Sequence, residues 1–254
     1  MDKKDIIDVF TTATGSYKGF IPNFVSSLTN FFPHNKKRLH IFIDDASNLP
    51  ETDNSIELIA TEIIDLPFPM IPIQKTFIQS QRVTKEMKYV FYFDIDTFFM
   101  SKDDSVFDWL AKLVDDDNVV MSRHPHYDYE EYKATALAER NPNSKAYIPE
   151  EFNGKIISSF WGGKAQEVLK MCALVNDMAK YDLWKLRYFP MFVDENYINK
   201  ILWLYKKGEV KDIKFFTTEH LIILPGTDFA VDAPHVFLLQ KYDNSLKESK
   251  KNVE

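Results

Sequence analysis

A chain of 254 residues with a single cysteine, Cys172, can form neither an internal disulfide nor a cysteine-built zinc cluster, so its stability has to come from packing. Glycine is also scarce at seven residues, which excludes collagen-like repeats and flexible glycine linkers. No uninterrupted apolar run reaches the roughly 18 residues that a membrane span needs, so no transmembrane segment is expected. The opening residues, MDKKDIIDVF, carry charges where a signal peptide needs its apolar core, and a cytoplasmic protein is the simplest reading. Positive charge is in deficit as well. The net charge of −7 argues against a broad nucleic-acid surface, so no nucleic acid partner is expected, while a local basic pocket for a small anion stays open.

Aromatic residues are plentiful, with 21 Phe and 12 Tyr, and the length allows an independent core. The segments IIDVFTTA, RLHIFIDD, SIELIATEI and KYVFYFDID read as strands separated by longer connections, the pattern of an α/β protein with a mainly parallel sheet. Between the first two, Phe20, Phe24, Val25, Leu28, Phe31 and Phe32 fall near helical spacing, which predicts an amphipathic crossover helix with Pro22 in its first turn. Sheets of this kind bind ligands outside the carboxyl ends of their strands. No repeat and no Pro/Gly/Ser-rich linker divides the chain, so residues 1–254 are read as one domain. Residues 124–154, punctuated by Pro125, Pro142, Pro149 and Gly154, form a long polar excursion. Beyond it GKIISSFWGG is a strand entering a turn, with Gly162 and Gly163 as the tight start of the helix KAQEVLKMCALVNDMAKY.

Chemistry concentrates at two acidic features. In KYVFYFDIDTFFM, Asp94 and Asp96 stand one residue apart where the apolar run stops, and alternation along a strand would turn both to one side. Neighbouring carboxylates resist ionising together unless a cation compensates them, so the pair suggests oxygen ligands for Mg2+ or Mn2+. In FVDENYINKILW, Asp194 is a natural N-cap, Glu195 suits a first turn, and Ile198, Ile201 and Leu202 face a core. Capping alone accounts for that acidic pair unless other motifs give it a function.

The order of motifs along the chain resembles glycosyltransferase family six, the family of the histo-blood-group A and B transferases and α1,3-galactosyltransferase. The matching pieces are TATGSY at 12–17, DID at 94–96, HP at 124–125, AERNPNSKAYIP at 138–149, FWGG at 160–163 and DENYINK at 194–200. The resemblance implies a GT-A fold and α-retaining transfer of galactose or N-acetylgalactosamine from UDP-Gal or UDP-GalNAc to a glycan acceptor, forming an α1,3 linkage. Many bacterial relatives carry Asn-x-Asn and work without metal, whereas Asp-x-Asp here implies a metal-dependent member using Mn2+ or Mg2+. Animal members carry an amino-terminal anchor and stem. Here nothing is expected before the first strand, as in soluble bacterial and phage-like relatives.

Carried over residue by residue, Thr12, Ala13 and Thr14 would hold uridine through their backbone and Tyr17 through its ring, with Ile78 at another base-contacting position. Gln74 or Lys75 would occupy the place of an arginine near the donor sugar. Asp94 and Asp96 would hold the metal against the diphosphate. Ile157, Ser158 and Ser159 would lie along the donor, Ile157 and Ser159 at positions that discriminate galactose from its 2-acetamido analogue. Asp194 would orient the donor, and Glu195 would lie beneath the anomeric carbon as nucleophile or electrostatic stabiliser; double displacement and same-face attack both remain open. His124 and Phe192 would face the acceptor. Residues 236–254 would close over the donor and bring Lys241 and Lys247 to the diphosphate.

Two alternatives stand beside this reading. One is a degenerate transferase or carbohydrate-binding protein that holds its ligand without turnover. The other is a phosphatase, because DIDTFF also resembles the Asp-x-Asp-x-Thr nucleophile motif of haloacid-dehalogenase-type enzymes, although their downstream acidic pair is not evident.

Overall fold

The structure, a computed structural model, describes residues 1–63, 74–100, 104–123, 139–149, 156–190, 193–218, 222–223 and 239–241. Its strands are β1 (Ile7–Ala13), β2 (Lys37–Ile43), β3 (Ile56–Glu62), β4 (Tyr89–Phe93), β5 (Thr97–Phe99), β6 (Asn118–Arg123), β7 (Ile156–Lys164), β8 (Lys214–Thr218), β9 (Ile222–Ile223) and β10 (Leu239–Lys241). Seven of them form one sheet in the order β3-β2-β1-β4-β7-β6-β8, and β5, β10 and β9 form a smaller one. Strands β3, β2, β1 and β4 run parallel, as do β6 and β8, while β7 is antiparallel to both neighbours. The result is a mixed, mainly parallel sheet. Because β7 runs against β4, its first residues meet the carboxyl end of β4, and Ser159 lies opposite the residue that follows Phe93.

Among the described residues the α-helices are α1 (Ile21–Leu28), α2 (Gln74–Arg82), α3 (Asp104–Asp115), α4 (Ala165–Tyr181) and α5 (Val193–Lys206), and they pack on the sheet. Alternation along the strands separates two apolar clusters. Val9, Ile41, Phe91 and Phe93 join Phe24 and Leu28 of α1 and Phe107 and Leu110 of α3 in one cluster. Phe10, Phe42, Tyr92 and Trp161 join Val168, Met171 and Cys172 of α4 and Ile198, Ile201 and Leu202 of α5 in the other. Phe31 is central to the first, with ring centroids 5.1 Å from Phe91 and 5.1 Å from Phe93. In the second, Trp161 stacks on Tyr92 at 4.4 Å and donates to Gln79 Oε1 at 2.7 Å, which satisfies the buried indole N–H. Cys172 is buried, and desolvation pushes its thiol far above the usual range.

Three local expectations need correction. Gly162 and Gly163 do not turn into a helix; both lie inside β7, and α4 begins at Ala165. Glycine is required there by close approach. A Cβ on Gly162 would sit 1.9 Å from Phe91 Cδ1, and one on Gly163 would sit 2.8 Å from the Asn118 carbonyl oxygen. Asp194 is not an N-cap, because α5 already starts at Val193 and both acids lie in its first turn. The crossover helix is also shorter than its apolar spacing suggests: a 3₁₀ turn (Gly15–Phe20) leads into α1, which ends at Leu28, and Phe31 and Phe32 reach the core from the following turn. Pro22 does stand in the first turn of α1. Among the described residues no helix is long and apolar enough to cross a membrane.

Candidate active site

Asp94 and Asp96 lie at the carboxyl end of β4, on a tight turn rather than on the strand itself. The Asp94 N–H donates to the Ser159 carbonyl at 3.0 Å, and the Thr97 N–H returns to the Asp94 carbonyl at 3.1 Å. Turn geometry, not strand alternation, therefore brings both carboxylates to the same cavity. That cavity has a volume of about 220 Å³, and Thr12, Thr14, Tyr17 and Lys75 line it together with the acids. Tyr92 supports it from below, donating to Asp94 Oδ1 at 3.2 Å and sharing a 3.2 Å hydrogen bond with Thr12 Oγ1. Burial pushes the Tyr92 phenol well above its ordinary range, so it stays protonated.

Lys75, in the first turn of α2, is the central cation. Its Nζ lies 2.8 Å from Asp94 Oδ1 and 3.5 Å from Asp194 Oδ2, donates to the Ser158 carbonyl at 3.1 Å, and stands over the Tyr92 ring at 5.4 Å. Its side chain is only 19% exposed. Burial alone would lower its pKa, but the Asp194 and Asp94 carboxylates outweigh that and hold the ammonium well above its ordinary range.

The two acids of α5 approach the same point through Ser158. Glu195 Oε2 accepts the Ser158 N–H at 3.0 Å, while the Ser158 carbonyl on the other side of the same residue takes Lys75. Glu195 Oε1 is buried with no hydrogen-bond partner among the described residues. Burial raises the Glu195 carboxyl to about 7, with the Asp194 charge adding to it and the Ser158 N–H opposing. Burial likewise raises Asp194, against the pull of Lys75. Val193, immediately before them, has φ of 28°, a strained conformation for a β-branched residue that costs on the order of 1–3 kcal/mol and fixes how α5 presents its acids.

The other residues singled out in the sequence divide clearly. Thr12, Thr14 and Tyr17 line the cavity, whereas the Ala13 side chain points into the core beneath β1. Gly15 adopts φ of 56°, open to glycine at little cost, and its N–H is held by Asp44 Oδ2 at 2.9 Å; Lys18 pairs with Asp44 at 3.0 Å. Ile78 is 5% exposed and packs in the core with Phe10 and Phe42 rather than on the cavity wall. Ile157, Ser158 and Ser159 are buried in β7, with the Ser158 backbone making the contacts described above. The backbone of Lys241 in β10 pairs with Thr97 in β5, one residue beyond Asp96, so residues 239–241 pass beside the acidic turn. His124, Phe192 and Lys247 lie outside the described residues.

Two contributors have no sequence signal of their own. Tyr92 reads as one more buried strand aromatic, and only the approach of β1 to β4 adds Thr12 to Asp94 as a polar partner of its hydroxyl. Asp182 reads as a helix-end acid, yet it is fully buried and accepts from Ser144 Oγ at 2.5 Å, the Lys145 N–H at 2.8 Å and Tyr197 OH at 3.0 Å. It ties the polar segment 139–149 to α5, and Glu139 adds a bond from Tyr188 OH at 2.8 Å.

The family model for glycosyltransferase family 6 matches residues 2–222, a span that includes the cavity wall of β1, both acids of the turn, and the Asp194–Glu195 pair. The chain belongs to glycosyltransferase family 6. A comparison with curated proteins finds no match. Family 6 membership makes this a glycosyltransferase of the GT-A fold, with a nucleotide-sugar donor and a glycan acceptor. The cavity lies outside the carboxyl ends of parallel strands, where sheets of this kind accept ligands. The matched span stops before Leu239–Lys241.

Proposed function

We propose that this glycosyltransferase moves galactose or N-acetylgalactosamine from its UDP donor to a galactoside-type acceptor, forming an α1,3 linkage with retention. The observation that carries the reading is the buried Glu195, whose Oε1 has no hydrogen-bond partner among the described residues, on the helix turn that also presents Asp194 to Lys75, itself paired with Asp94. In the reaction the bond from the anomeric carbon to the diphosphate breaks, UDP leaves with the bonding pair, and the acceptor hydroxyl forms the new glycosidic bond as its proton passes to an oxygen of the departing diphosphate. Glu195 in its ionised form stabilises the oxocarbenium-like carbon, or bonds to it and is displaced in turn. Asp194 and Lys75 orient the donor sugar. Thr12, Thr14 and Tyr17 receive uridine.

Asp94 and Asp96 fit a hard divalent cation, since both are carboxylates lining one cavity. Among the described residues no group of three His, Cys, Asp or Glu side chains converges, so the site suits an ion that takes its other oxygens from substrate phosphates and water. Mn2+ or Mg2+ held there would neutralise the charge developing on the departing diphosphate. The backbone pairing of Leu239–Lys241 with β5 supports a donor-closing role for residues 236–254, which would bring Lys241 and Lys247 to the diphosphate.

The test is UDP release from UDP-Gal and UDP-GalNAc, with and without a galactoside acceptor. Acceptor-dependent release that EDTA abolishes and Mn2+ restores is the expected result, and Asp96→Asn should weaken both donor binding and turnover. Donor binding with no turnover on any galactoside would overturn the proposal, and full activity in a metal-free preparation would refute the metal role.

A further inference from the structure

We infer that Lys75 is a built-in competitor for the divalent cation at Asp94, so that metal binds tightly only together with the diphosphate. The inference rests on the reading of Asp94 and Asp96 as the metal site. Lys75 Nζ already lies 2.8 Å from Asp94 Oδ1, within the range of charge-assisted hydrogen bonds. A divalent ion drawing on the same carboxylate must displace that contact or sit beside a like charge, and a like charge at such range disfavours the second cation strongly where solvent screening is weak.

The backbone of Lys75 is anchored. It occupies the first turn of α2, which is fixed to α4 by the Thr76 Oγ1 to Asn176 Oδ1 bond at 3.1 Å, and the neighbouring turn is fixed by Gln79 beneath Trp161. When metal takes Asp94, the ammonium still has Asp194 Oδ2 at 3.5 Å and the Ser158 carbonyl at 3.1 Å, and so remains close to the incoming ion. Asp96 and Asp194 offset part of that repulsion, and further negative charge offsets the rest. A diphosphate supplies that charge in the same cavity, which couples metal affinity to donor binding; the coupling is reciprocal by thermodynamic necessity.

Mn2+ binding to the apoprotein, followed by the electron paramagnetic resonance of free Mn2+, tests this without reference to turnover. Lys75→Met should bind Mn2+ at least about tenfold tighter than wild type in the absence of UDP, and saturating UDP should narrow the gap. Adding Asp94→Asn to Lys75→Met should remove the gain. Thermal melting establishes that each variant is folded, and Lys75→Gln, which keeps hydrogen bonding to Asp94, carries the same expectation if the Met variant does not fold. Equal Mn2+ affinities of folded Lys75→Met and wild type without UDP, while wild type binds Mn2+ with UDP, would overturn the role of Lys75 alone. Failure of wild type to bind Mn2+ even with UDP would overturn both it and the metal site.

Discussion

Glu195→Gln should leave the protein more stable at alkaline pH while disabling it as a transferase. Burial raises the Glu195 carboxyl from an ordinary 4.5 to about 7, so the folded protein keeps this proton over a range where the unfolded chain has lost it. Below about 4.5 the residue is neutral in both states and contributes no difference. Between 4.5 and 7 wild-type stability falls as pH rises, and above 7 the folded protein carries the full cost of a buried carboxylate, about 3 kcal/mol for a displacement of this size. Glutamine keeps the shape and can still accept the Ser158 N–H, but it never ionises. The difference between variant and wild type should therefore be near zero at pH 4 and grow to several degrees in Tm at pH 8.5. Over the same range the wild-type kcat/KM should show an acid limb near 7 as Glu195 becomes the charged form the reaction needs, and the variant should lose kcat by about a hundredfold or more with little change in donor Kd. Thermal melts of donor-free, metal-free protein at the two pH values, paired with single-turnover kinetics, make the comparison. A Tm difference that does not change with pH, or a wild type that is the more stable protein at pH 8.5, would refute the reasoning.

Gly162→Ala should destabilise the fold by about 1–3 kcal/mol or prevent folding, read by urea denaturation, because its Cβ would enter the Phe91 ring. Asp182→Ala strands the Ser144 hydroxyl, the Lys145 N–H and the Tyr197 hydroxyl in a buried site, so it should cost about 3 kcal/mol or more. It should also speed proteolysis within residues 139–149 before global unfolding, and cleavage at the wild-type rate would show that this segment is held by something else.

The sequence alone determined the α/β class and the family, because both rest on features that survive without coordinates: strand-length apolar runs separated by helical spacing, and motifs recurring in a set order. It also picked out Asp94, Asp96, Asp194 and Glu195, since acidic residues at the ends of apolar segments stand out by type. What it misjudged was local conformation. Gly162 and Gly163 carry the composition of a turn, yet they are strand residues because Phe91 and the Asn118 carbonyl, distant in sequence, leave no room for a Cβ. The Asp94 and Asp96 side chains meet through a turn closed by the Thr97 N–H, an arrangement that side-chain alternation does not foresee. Only the tertiary structure decided which lysine matters and what state the acids hold. Lys75 becomes the central cation because α2 carries it to Asp94, Asp194 and the Ser158 carbonyl at once, and Glu195 acquires its raised pKa because folding removes water from around it. Charge and desolvation depend on what surrounds a group in space, and residues 75, 94, 158 and 195 become neighbours only when the sheet has formed.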